Sequence, residues 1–179
     1  MKLRAKHSVV SGAAMLMGGT MLGQLVVLLS SPILTRLYSP DAFGVLGVYV
    51  AVFALSTTVG CLRYELAIPI PKTRKLAINL VFLCICFLAL FAVSLQILLA
   101  NYGEVFTDLL HINQLNPYVW LIPAGMIVGS LYKLCHFYCL REENYFAVSA
   151  GRFSMGAAIS LIQVGLGVFG FGVMGLILG

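Results

Sequence analysis

Within Leu62-Arg63-Tyr64-Glu65-Leu66 a base and an acid stand two residues apart inside an otherwise apolar run. An isolated charge at the centre of a bilayer costs ~2.5–3.5 kcal/mol, so charges in such runs face a cavity, a partner or an aqueous end. Residues two apart on a helix point to nearly opposite sides. Arg63 and Glu65 are therefore poorly placed to pair with each other, and at least one needs a partner on another helix. Counted from Pro40, Arg63 lies ~35 Å along a helix that rises ~1.5 Å per residue, close to the end of a crossing. Two readings remain open there. One is an arginine that snorkels to the aqueous interface. The other is a cationic contact on the wall of a cavity open to that side. Pro69 lacks an amide donor and crowds the carbonyl of Glu65, which predicts a kink. Polar backbone of that kind is tolerated where it lines a cavity or packs on protein.

Other basic residues have simpler readings. Arg36, in Leu34-Thr35-Arg36-Leu37-Tyr38, suits an interface beside an aromatic anchor. Lys133, in Tyr132-Lys133-Leu134, has a stem long enough to reach the aqueous face. Cys135, His136 and Cys139 share about one helical turn, but a zinc site wants a fourth ligand in tetrahedral arrangement. All five cysteines fall in apolar stretches, where packing is the expected role. The chain has no P-loop and no serine–histidine–acid set, and Glu104 and Asp108 are too isolated to support a membrane-embedded transferase. The expectation is a protein that is no enzyme and carries no cofactor or metal.

The elements that must position these residues follow from composition. Of 179 residues, 61% are hydrophobic and 9% charged, against ~25% charged in soluble domains, which excludes an ordinary soluble fold. A net charge of +5 on so little polar surface makes no nucleic-acid footprint. Five apolar runs predict an all-α, polytopic transmembrane bundle of about five helices, a single domain over 1–179 with helices near 8–34, 40–70, 76–100, 118–140 and 150–179. The first run is too long for a signal-peptide core of ~7–15 residues, and no small-x-small cleavage site follows it. Ser39-Pro40-Asp41 marks the start of the second helix: serine caps, proline suits the first helical position and aspartate favours the positive end.

Lysine and arginine fix the orientation. Lys2, Arg4, Lys6, Lys72, Arg74, Lys75, Arg141 and Arg152 fall on one side, and Arg36, Glu104 and Asp108 on the other. The positive side is the cytoplasm, so the N-terminus is expected inside and the C-terminus outside. Glycines crowd the first and fifth helices, with Gly19 and Gly23 in GxxxG spacing. Tight packing within the bundle is the preferred reading over a dimer motif. A polytopic bundle with few charges, one basic–acidic cluster and kinked helices fits transport better than catalysis.

Three stretches carry a resemblance to a known family. They are Pro32-Ile33-Leu34-Thr35-Arg36-Leu37-Tyr38-Ser39-Pro40-Asp41-Ala42-Phe43-Gly44, then Leu62-Arg63-Tyr64-Glu65-Leu66-Ala67-Ile68-Pro69-Ile70-Pro71, then Gln163 to Gly179. In these the chain resembles the Wzx-like O-antigen flippases, the polysaccharide-transporter branch of the multidrug/oligosaccharidyl-lipid/polysaccharide flippase superfamily. The resemblance implies translocation of an undecaprenyl-pyrophosphate-linked oligosaccharide across the bacterial inner membrane, for O-antigen, lipopolysaccharide or other surface polysaccharide. It implies two similar lobes around a cationic cavity, membrane lipid around them, and coupling to a proton or sodium gradient. Arg36, Arg63 and Tyr64 would then belong to the substrate cavity, with Glu65 a structural partner or part of ion coupling. A polysaccharide polymerase and other assembly proteins are the implied partners. Five helices correspond to most of one lobe, so the chain is expected to be an N-terminal part of such a transporter. Two alternatives stand beside this one: a non-transporting scaffold of a polysaccharide assembly complex, and a drug or lipid exporter of the same superfamily.

Overall fold

The computed structural model describes residues 2–71, 73–109 and 118–179. Lys72, the side chains of Lys2, Arg4, Lys6 and Glu104, and the stretch 110–117 lie outside the described residues. The described chain is helical, with no strands: α1 (Lys2–Leu37), α2 (Pro40–Gly60), a short 3-10 helix (Tyr64–Ala67), α3 (Arg74–Leu109), α4 (Leu121–Arg141), α5 (Tyr145–Val168) and α6 (Val173–Leu178). Four helices are long and apolar enough to cross a membrane: Gly12–Leu37, Pro40–Gly60, Arg74–Gly103 and Tyr145–Val168. Such a set marks a multi-pass membrane protein. Large apolar side chains such as Leu29, Leu90 and Leu161 stand exposed along them, as lipid-facing residues must.

The packing divides the chain into two compact units, residues 1–43 with 142–179, and residues 44–141. In the first unit α1 packs along α5. Gly19 meets Ser149, Gly23 meets Gly156, the Ser30 hydroxyl donates to Ser160 at 3.2 Å, and Tyr38 donates to the Gln163 carbonyl at 2.7 Å. Rising numbers on one helix match rising numbers on the other, so α1 and α5 run parallel. The GxxxG glycines thus serve close packing between helices of this chain.

In the second unit α4 runs parallel to α2 and antiparallel to α3. Tyr49 donates to the Leu121 carbonyl, and Lys133 to Thr57, while Gly103 lies near Val119 and Arg141 reaches Pro71. Cys61, Ile68, Cys84, Leu88, Ala92, Met126 and Leu134 form its buried core. Helix direction bears on α4, which carries Lys133 and His136 and is absent from the four apolar spans. If α1 and α5 both cross and run parallel, the chain between them makes an odd number of crossings. The three helices α2, α3 and α4 supply that number.

The helix ends differ from the expected ones in instructive ways. The first helix extends to Leu37 through Pro32, whose carbonyl accepts from Thr35. The second begins at Pro40, with Ala42 N–H on the Ser39 hydroxyl at 3.3 Å, but stops at Gly60 and not near 70. The third continues nine residues past 100, to Leu109. The fifth begins at Tyr145, where Asn144 caps Ala147 N–H at 3.1 Å, and ends at Val168 and not at 179. Its end is a Schellman turn: Phe171 N–H bonds Leu166 O at 3.1 Å and Gly170 N–H bonds Gly167 O at 3.0 Å, with Gly170 at φ 76°. Gly172, at φ 54°, then turns the chain into α6, which Gln163 ties back by donating to Leu176 O at 3.1 Å.

Candidate functional site

Chemistry gathers where α2 ends. Beyond Gly60 the backbone abandons the α-helix for a series of three-residue turns: Leu62 on Val59, Tyr64 on Cys61, Leu66 on Arg63, Ile68 on Glu65 and Ile70 on Ala67, at 2.9–3.3 Å. Leu62 and Arg63 both take left-handed backbone, at φ 48° and 59°, a conformation that costs a non-glycine residue about 1–3 kcal/mol. The expected kink at Pro69 is therefore replaced by an earlier and sharper break. Pro69 sits where the helix has already ended, and its missing amide removes no α-helical bond.

This break separates the three neighbours at 63–65. Arg63 and Tyr64 are exposed. The Tyr64 ring stacks on Phe87 of α3, with centroids 6.2 Å apart and planes 7° from parallel. Glu65 turns the other way and is 5% exposed, and its Oε2 has no hydrogen-bond partner. A buried carboxylate with an unmet oxygen is costly, and it is held there by the apolar core on either side of it in sequence, Cys61 and Ile68. Arg36, the remaining expected site residue, belongs to the other unit, exposed in the last turn of α1.

Around Glu65 the structure brings together polar groups that the sequence did not group. Cys61 and Cys84, buried in one core, both feel the Glu65 charge. Ser130 of α4 is wholly buried beside the Cys61 thiol. Lys133, expected to snorkel outward, instead donates Nζ to Thr57 Oγ1 of α2 at 3.0 Å. Among the described residues it makes no ion pair with Glu65. The signal was present in the spacing: Thr57 and Cys61 are four apart across the end of α2, and Ser130 and Lys133 three apart on α4, so each pair falls near one face.

The aqueous end of this unit is basic. Arg63, Arg74 and Lys75 are exposed on the segment that joins α2 to α3, and the Arg141 guanidinium donates to Pro71 O at 3.5 Å from the end of α4. The unit thus presents cations at one end and, just inside, a carboxylate, an ammonium, two thiols and two hydroxyls. The arrangement can bind an anion at the rim and accept a cation or proton at Glu65. Among the described residues no three His, Cys, Asp or Glu side chains gather to hold a metal ion. All five cysteines are free. No family model, curated protein or solved structure matches the chain.

Proposed function

We propose that this chain acts in the flipping of lipid-linked oligosaccharide across the bacterial inner membrane, as its resemblance to Wzx-like flippases implies. The observation that carries the reading is the break after α2. There, two successive left-handed residues hold an exposed arginine next in sequence but one to a buried, incompletely bonded carboxylate. Backbone strain and an unmet buried polar atom at the end of a membrane helix are expensive, and they persist where function uses them.

On this reading Arg63 meets the pyrophosphate or acidic sugars of the substrate, with Tyr64 as a stacking wall. Glu65 takes the coupling proton or sodium ion. The basic end formed by Arg63, Arg74, Lys75 and Arg141 faces the cytoplasm, which sets the N-terminus inside. The substrate enters from that side, and a polysaccharide polymerase receives it on the other.

The test is replacement of Arg63 by alanine in cells whose surface glycan depends on this protein. The variant should insert normally and lose surface polysaccharide. Normal surface polysaccharide in that variant removes the proposed role. Normal surface polysaccharide in R63A, together with co-purification of assembly proteins, favours the scaffold instead.

A further inference from the structure

The second place where polarity is out of keeping with its surroundings lies in the other unit. Arg152 is the eighth residue of α5, inside an apolar helix long enough to cross a membrane. Its side chain is exposed, and its Nη1 donates to Thr20 Oγ1 of α1 at 3.1 Å. Thr20 in turn donates to Leu16 O at 2.8 Å. A guanidinium has five N–H donors, and among the described residues this one makes that single hydrogen bond and no ion pair. Neither α1 nor α5 contains an aspartate or glutamate. The unit's acids, Asp41, Glu142 and Glu143, lie outside both helices, and among the described residues none of them pairs with Arg152.

A row of polar residues continues from the same point. At ~100° per residue, Thr20, Gln24, Ser31 and Thr35 fall within an arc of ~60° on α1. Gln24, Ser31 and Thr35 are exposed. Thr35 bonds back to its own helix, whereas the Gln24 amide makes no hydrogen bond among the described residues. Arg152 and Gln24 therefore both offer unused donors along the α1/α5 seam, where the Arg152 carbonyl lies against Gly23, the neighbour of Gln24. Arg152 sits ~10 Å along α5 from its start, a depth from which an arginine that leans toward the helix N-terminus reaches lipid headgroup phosphates.

We infer that this seam binds the headgroup of an anionic phospholipid, with the phosphate on Arg152 and the headgroup hydroxyls on Gln24. Charge complementarity selects the ligand. A zwitterionic headgroup offers its phosphate together with an ammonium that the guanidinium repels, whereas phosphatidylglycerol offers a phosphate, two hydroxyls and no cation. The site is independent of the proposed transport, and lies in the other unit from Arg63.

The experiment is native mass spectrometry of the purified full chain with phosphatidylglycerol or phosphatidylcholine, alongside labelling by a photoactivatable phosphatidylglycerol. The chain should retain phosphatidylglycerol about fivefold better than phosphatidylcholine, the preference one interfacial cation confers. Arg152→Gln should abolish the preference, and Arg152→Lys should keep it within about twofold, since the charge remains. The photolabel should fall on α1 near Gln24. Equal retention of the two lipids overturns the inference. So does an unchanged preference in R152Q, or labelling confined to the basic segment 61–75. Should R152Q fail to fold, Gln24→Leu must lower labelling of α1, and unchanged labelling there overturns it equally.

Discussion

Gly23 of α1 faces Gly156 of α5 so closely that a Cβ on Gly156 would stand 2.7 Å from the Gly23 carbonyl oxygen, and a Cβ on Gly23 would stand 2.9 Å from the Arg152 carbonyl oxygen. Backbone cannot step aside as a side-chain tip can. In a membrane, where no water is left to expel from the seam, close packing of this kind and the hydrogen bonds beside it drive helix association. Gly156→Leu should therefore cost at least the ~1–3 kcal/mol typical of overpacking. Gly18→Ala, with nothing within 4 Å of the new methyl, should be neutral. Thermal unfolding in detergent distinguishes the two. Equal melting temperatures would mean that the α1/α5 seam does not hold the unit together.

The C-terminal turn makes a second prediction. Tyr38 donates to Gln163 O at 2.7 Å, and Gln163 holds Leu176 O of α6. Tyr38→Phe should lose about 1 kcal/mol, the net worth of one such bond. Burial raises the Tyr38 phenol above its ordinary 10.0. The contribution of the neutral phenol is then complete below pH 10.0 and lost as pH rises through the higher folded value. Alkaline melting curves should show this loss in the native chain and not in Y38F.

Glu65 supports a third. Its Oε2 has no partner, so Glu65→Gln removes a buried charge without breaking a bond made by that atom, and stability should hold or rise. Transport should fall nonetheless if the carboxylate takes the coupling ion. A variant that melts early would show instead that the charge is structural.

The direction of the helices yields a fourth. With α4 as a crossing helix, cysteines placed at Asp108 and Glu143 in a cysteine-free background should be labelled by an impermeant maleimide from opposite sides of the membrane. The N-terminus should share the side of Glu143. Labelling of both from one side would break the parity that the parallel α1 and α5 require.

Much of this fold could be read from residue types alone. The long apolar runs predicted the helices, and Ser39-Pro40-Asp41 placed the start of α2, because capping chemistry is local. Ends set by tertiary or turn geometry were less legible. Nothing in a window average distinguishes Leu62 and Arg63 in left-handed backbone from two more helical residues, so α2 seemed to continue to 70. The glycines at 170 and 172 looked like packing residues, yet they make a Schellman turn that folds α6 back. At the site, the Arg63–Tyr64–Glu65 cluster was visible as charge in an apolar run. Its division into an outward base and a buried acid was not, nor was the inward turn of Lys133 to Thr57. Those depend on which faces of α2, α3 and α4 meet.

Translocation can be assayed with purified protein in sealed vesicles. Vesicles carrying undecaprenyl-pyrophosphate-linked oligosaccharide would be probed with an impermeant glycosidase. Native chain should expose the inner-leaflet pool to digestion when an ion gradient is imposed, and R63A should leave that pool protected. Digestion no greater than in protein-free vesicles would mean that the chain does not translocate the lipid, and equal digestion with R63A that Arg63 takes no part.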